Sequence, residues 1–159
     1  MNTFLLIGLA VGAYFLLKKN VVELYAQVDR ESEAKLISGP DILTCKFDLK
    51  LANVGNVPMT IKTIKATQIT PDINAIFYER FENGGSGPKY DGSTMYDIIL
   101  KPNEDVELLS YIQVNKAQSV IDKQNTLAID YELSITAEVA GKTQLFTLPV
   151  TANLGAING

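Results

Sequence analysis

The chain has 159 residues, 47% hydrophobic and 20% charged, with a net charge of −4, which suits one domain able to bury a core. It contains no His and a single Cys, which excludes an intrachain disulfide, a His-activated nucleophile and the usual His-containing zinc sites. Two of its 14 basic residues, Lys18 and Lys19, adjoin an apolar run; the remaining 12 stand against 18 acids, a balance that repels a phosphate backbone and argues against nucleic-acid binding.

The run from Phe4 to Leu17 carries no charge and ends abruptly at Lys18-Lys19. A helix over residues 1–17 rises about 25 Å against a hydrocarbon core of roughly 30 Å, a deficit that snorkelling lysines at the interface absorb. Residues 1–19 are therefore expected to form a single transmembrane anchor with the bilayer as partner, and residues 20–159 the domain it carries. A cleaved signal peptide would need a basic stretch that Met1-Asn2-Thr3 does not supply, and a buried soluble helix is the other alternative. Gly8 and Gly12 have the spacing that lets membrane helices approach closely, which allows self-association through the anchor. Lysines on one flank alone favour a cytoplasmic face for the domain.

Val21–Val28 reads as a first strand, with a continued helix as the alternative, and Asp29–Glu33 as a connection. Leu43–Leu51 alternates apolar and polar without a break, so Cys45 is expected to point inward with Phe47 and Leu49 as an inert thiol. Asn53-Val54-Gly55-Asn56 ends that strand with turn residues. Pro58–Ala66 is a second strand whose alternation slips between Ile61 and Ile64, as at a bulge. Ile76–Tyr78 is a short strand, and Asn83–Pro88 a long flexible loop. Met95–Leu100 and Val106–Val114 are strands on either side of Pro102-Asn103, and residues 116–121 form one helical turn. Leu127–Val139 and Leu145–Val150, joined by Ala140-Gly141-Lys142, form a hairpin. The pattern predicts a mainly β fold, an antiparallel immunoglobulin-like β-sandwich of about seven strands preceded by the transmembrane helix.

Leu49–Pro58, a strand, an Asn-containing turn and a strand start, together with Leu100-Lys101-Pro102-Asn103 before another strand, resembles the β-sandwich of the late-embryogenesis-abundant type 2 and water-stress-response proteins. Asn53 is followed by Val54 where that family's turn has proline. The resemblance spans residues 20–150 in outline and implies a sandwich fold of a non-catalytic, membrane-tethered or soluble kind.

No catalytic constellation is present in the sequence, and no cofactor or metal is expected. The candidate acid–base or metal groups are carboxylates, Glu79, Glu82 and Asp91 around the glycine-rich loop and Glu104, Asp105 and Glu107 after Pro102, in spacings that do not match an EF-hand. Tyr78, Tyr90 and Tyr96 are the expected partner surface, since tyrosine offers large contact area at small entropic cost. The function expected is a non-enzymatic structural or interaction protein that presents the sandwich at a bilayer for assembly with neighbouring proteins. One such setting is a minor virion protein linking an internal membrane to capsid proteins. The alternatives are a cellular membrane-tethered binding module and, least favoured, a carboxylate- or metal-dependent enzyme.

Overall fold

The structure, a computed structural model, describes residues 19–156 apart from 38, 40 and 123–125; the apolar run with Gly8, Gly12 and Lys18 lies outside the described residues. Within them, two antiparallel sheets pack face to face. The first has the order β1 (Leu24–Arg30), β3 (Ile42–Asn53), β8 (Asp105–Asn115), β5 (Asn74–Arg80), β6 (Ser86–Lys89), with the two-residue β2 (Lys35–Leu36) beside β3. The second has the order β10 (Lys142–Ala156), β9 (Thr126–Val139), β4 (Met59–Gln68), β7 (Ile98–Leu100), and α1 (Ala117–Ile121) is a single helical turn. The described residues thus hold ten strands where about seven were expected, the surplus being short strands such as β2 and β6. Among the described residues no helix is long and apolar enough to cross a membrane.

Alternation of side chains sorts the two faces. Leu43, Cys45, Phe47, Leu49 and Leu51 of β3 are buried against Leu127, Ile129, Tyr131, Leu133 and Ile135 of β9 in one core. The slip in β4 is real: its register against β9 shifts between Ile61 and Thr63, which brings Ile61 and Ile64, three residues apart, onto the same buried face. The β9–β10 hairpin turns through Ala140 and Gly141, both at positive φ, the backbone twist a two-residue hairpin requires. Val21–Glu23 does not join the first strand, which starts at Leu24 and runs two residues past the expected end.

The glycine-rich stretch expected as a flexible loop is mostly a hairpin. Gly84 N donates to the Phe81 carbonyl, Phe81 N donates to Gly85, and Ser86–Lys89 pairs with β5. Gly87 allows this because a Cβ there would sit 2.9 Å from the Glu79 carbonyl oxygen, and Pro88 is tolerated because β6 is an edge strand. The chain then crosses between sheets: Tyr90 N donates to Phe77 on β5, and its carbonyl accepts from Ala66 N on β4. Gly92 N and Tyr96 N donate to Ile64 and Lys62, so residues 90–96 and β7 together cover the edge of β4 that β9 leaves open.

Tyr131 is 1% exposed, and its hydroxyl has no hydrogen-bond partner within the protein. A buried unpaired hydroxyl costs free energy, so Tyr131→Phe is expected to stabilise the fold by about 1 kcal/mol in urea unfolding. A loss of stability instead would mean that the hydroxyl is satisfied in solution.

Candidate functional site

The register places four segments at one end of the sandwich: residues 19–23, the turn after β3, the turn before β8 and the β9–β10 turn. Asn53 is the centre of this end. It is fully buried, and its side-chain amide donates to the carbonyls of Val57 (2.9 Å) and Leu100 (3.1 Å) while its Oδ1 accepts from Gly55 N (3.1 Å). Its backbone N–H donates to Glu104 and its carbonyl accepts from Asn103 N, so one residue ties the two turns together with every polar group used.

The same turn grips the chain that follows the apolar run. Asn56 Nδ2 donates to the Lys19 carbonyl (3.0 Å), Asn56 Oδ1 accepts from Val21 N (2.8 Å), and Asn56 N donates to the Val21 carbonyl (2.9 Å). Val54 N and Gly55 N both donate to Glu23. Gly55 is required by space alone: a Cβ there would lie 2.3 Å from Val21 O and 2.9 Å from Glu23 N. Sequence reading identified Asn53–Asn56 as turn residues but not this clamp, because the Asn56 partners lie 35 and 37 residues away. Lys19, expected at a membrane interface, is exposed beside the clamp.

The three tyrosines do not form one surface, which corrects the expected partner patch. Tyr90 is 2% exposed because its backbone bridges the sheets and turns the ring inward, edge-on to Phe77 with centroids 5.1 Å apart. Its hydroxyl meets Ser110 Oγ at 2.9 Å; Ser110 in turn donates to the Leu108 carbonyl, so the phenol is the donor, and burial pushes its pKa up. Tyr96 is half-buried and donates to Glu79 Oε2 at 2.8 Å; burial and that carboxylate hold the phenol protonated. Tyr78 alone of the three faces outward from the first sheet, stacked on Tyr111 at 4.8 Å with Lys89 Nζ 5.9 Å from its ring centroid.

The candidate carboxylates are mostly engaged in local structure. Glu79 accepts from Tyr96, and Asp91 accepts from the hydroxyl and amide of Ser93, which lower its pKa. Glu104 accepts from Lys101 N, and Asp105 and Glu107 lie 3.1 and 3.8 Å from Lys50 Nζ. Glu82 is exposed. Among the described residues no three potential metal ligands converge. Cys45 is fully buried, its Sγ donates to the Ser32 carbonyl at 3.0 Å, and burial pushes its pKa up to about 11, the opposite of what a nucleophilic thiol needs.

No protein-family model matches the chain, and no curated protein is similar to it. Three solved structures overlap it weakly. A Northeast Structural Genomics Consortium target has a TM-score of 0.45 at 9% identity, covering 85% of this chain and 86% of its own. The GAE domain of yeast GGA1 has a TM-score of 0.42 at 13% identity, covering 89% and 96%. A protein from Archaeoglobus fulgidus has a TM-score of 0.40 at 14% identity, covering 87% and 99%. None of the three overlaps closely enough for a shared function, or a shared fold, to follow.

Proposed function

We propose that the chain is a non-enzymatic structural protein whose apolar run anchors an immunoglobulin-like sandwich to a bilayer, on the cytoplasmic side, for assembly with neighbouring proteins. The observation that carries this reading is the clamp: Lys19, Val21 and Glu23 are hydrogen-bonded to the Val54–Asn56 turn, so the domain starts within two residues of the Lys18-Lys19 flank. A binding module on a tether searches a volume around its anchor. A domain fixed at the membrane exit holds one height and orientation, which is what a scaffold position requires. The engaged carboxylates and the protonated Cys45 thiol support the non-enzymatic part of the reading.

Carbonate extraction of membranes containing the full chain tests the anchor: the protein is expected to stay in the pellet, and its release into the supernatant would end the proposal. The clamp is tested separately by Asn56→Ala. That change removes two side-chain hydrogen bonds, and amide exchange at Val21 is expected to speed up about 10-fold with the sandwich core unchanged. For the virion setting, fixed stoichiometry in purified particles is the expected result, and absence from particles would remove it.

A further inference from the structure

Chain length alone limits how far the clamped end of the sandwich can stand from the apolar run. Lys19 follows Leu17 by two residues, so its Cα lies at most about 7 Å from that of the last apolar residue in the run. Asn56 Nδ2 holds the Lys19 carbonyl at 3.0 Å, which ties the turn after β3 to that point. The headgroup layer on each side of a bilayer is roughly 5–8 Å thick. With Leu17 at the edge of the hydrocarbon, the Asn53–Asn56 turn is therefore held at the depth of the headgroups and not beyond them.

The surface of this end suits that depth. Val54 in the turn is 48% exposed, and Val21, whose carbonyl accepts from Asn56 N, is 43% exposed. The two lie close together, because Val54 N donates to Glu23, two residues on from Val21. Water offers such aliphatic side chains nothing, whereas the boundary between headgroups and acyl chains takes them up. Three exposed cations accompany them: Lys19, Lys101 in the turn whose Asn103 N donates to the Asn53 carbonyl, and Lys142 beside the β9–β10 turn. The exposed acids on the same segments are Glu23 and Glu104, the latter 3.5 Å from Lys101 Nζ. Cations thus lead at this end of a chain in which acids outnumber bases 18 to 14.

We infer that the clamped end of the sandwich is itself a lipid-contact surface. Val21 and Val54 enter the boundary between headgroups and acyl chains, and Lys19, Lys101 and Lys142 reach headgroup phosphates. The inference rests on the anchored reading above and adds to it: the bilayer touches the turns of the domain as well as the flank of the run. Contacts from turns spread across this end fix the tilt of the sandwich as well as its height, which one attachment point at Lys19 leaves free.

The chain contains no Trp, so one introduced Trp is the only indole in the protein and reports its own depth. The test compares Val54→Trp with Ile69→Trp, both at exposed positions, as full chains in phosphatidylcholine vesicles that carry a nitroxide on the lipid headgroup. Ile69 follows β4, whose ten residues run from the clamped end to the opposite one, about 30 Å away. Emission from Val54→Trp is expected to fall by about half or more relative to nitroxide-free vesicles, and that from Ile69→Trp to stay nearly unchanged. Val21→Trp is a second reporter, expected to match Val54→Trp, and an unchanged melting curve confirms the fold of each variant. Equal quenching of the Val54→Trp and Ile69→Trp chains, slight or strong, in a chain that floats with the vesicles overturns the inference and leaves the anchor standing. A chain that does not float with the vesicles removes the anchored reading and the inference with it.

Discussion

Asn53→Leu is expected to lower the unfolding free energy by about 3–5 kcal/mol. The substitution keeps the branched side-chain skeleton, removes its polarity and adds the bulk of two methyl groups at a fully buried position. It takes the side-chain donor from the carbonyls of Val57 and Leu100 and leaves the Gly55 amide with its bond to Glu23 alone. Each orphaned buried group costs roughly 1–3 kcal/mol, and relaxation of the turns recovers part of the sum. The loss should appear in urea unfolding as a shifted midpoint at nearly constant slope, since the exposed surface is the same. A change under about 1 kcal/mol would show that Asn53 is replaceable and that the two turns do not depend on it.

The second large effect concerns Gly55→Ala. A methyl group there collides with backbone atoms of Val21 and Glu23 rather than with a side chain that swings aside. Residues 19–23 must lift off, which breaks the Asn56–Lys19 and Asn56–Val21 bonds and the two amide bonds to Glu23. We expect about 2–4 kcal/mol of lost stability together with fast exchange of the Asn56 amide, whose acceptor is the Val21 carbonyl. On the anchored reading proposed above, the substitution would convert a fixed exit into a short tether and so separate position from attachment. Carbonate extraction should still leave the chain in the membrane, while crosslinks from the sandwich to its neighbours should become diffuse. Unchanged crosslinks would mean that the clamp contributes nothing to assembly.

The parts of the fold that were legible before the structure are those written in local alternation. β3 shows its inward set from Leu43 to Leu51 residue by residue, and the β4 bulge shows as the slip between Ile61 and Ile64. The β9–β10 hairpin was visible for the same reason, although β10 runs six residues past Val150, through Ala152 and Leu154, where small and polar residues weaken the pattern. What was not legible depends on pairing at a distance. Tyr90 sits beside a glycine-rich stretch that reads as exposed, and only its backbone bonds to both Phe77 and Ala66 carry it inside. Asn56 shows its turn propensity, but its two partners near residue 20 do not follow from it.

The course of the first and last strands has a mechanical corollary. β1 leaves the clamped end and β10 finishes at the opposite end, and Arg30 Nη1 donates to the Leu154 carbonyl (3.1 Å) where the two strands run alongside. A pull between Lys19 and Ala156 therefore acts along the strands. Such a load is shared by the β1–β3 pairs from Leu24–Asn53 to Arg30–Phe47 all at once, rather than opening them one at a time from an end. The domain is thus built to resist shear along its own axis, and tension on it is borne by a whole ladder before any single rung yields.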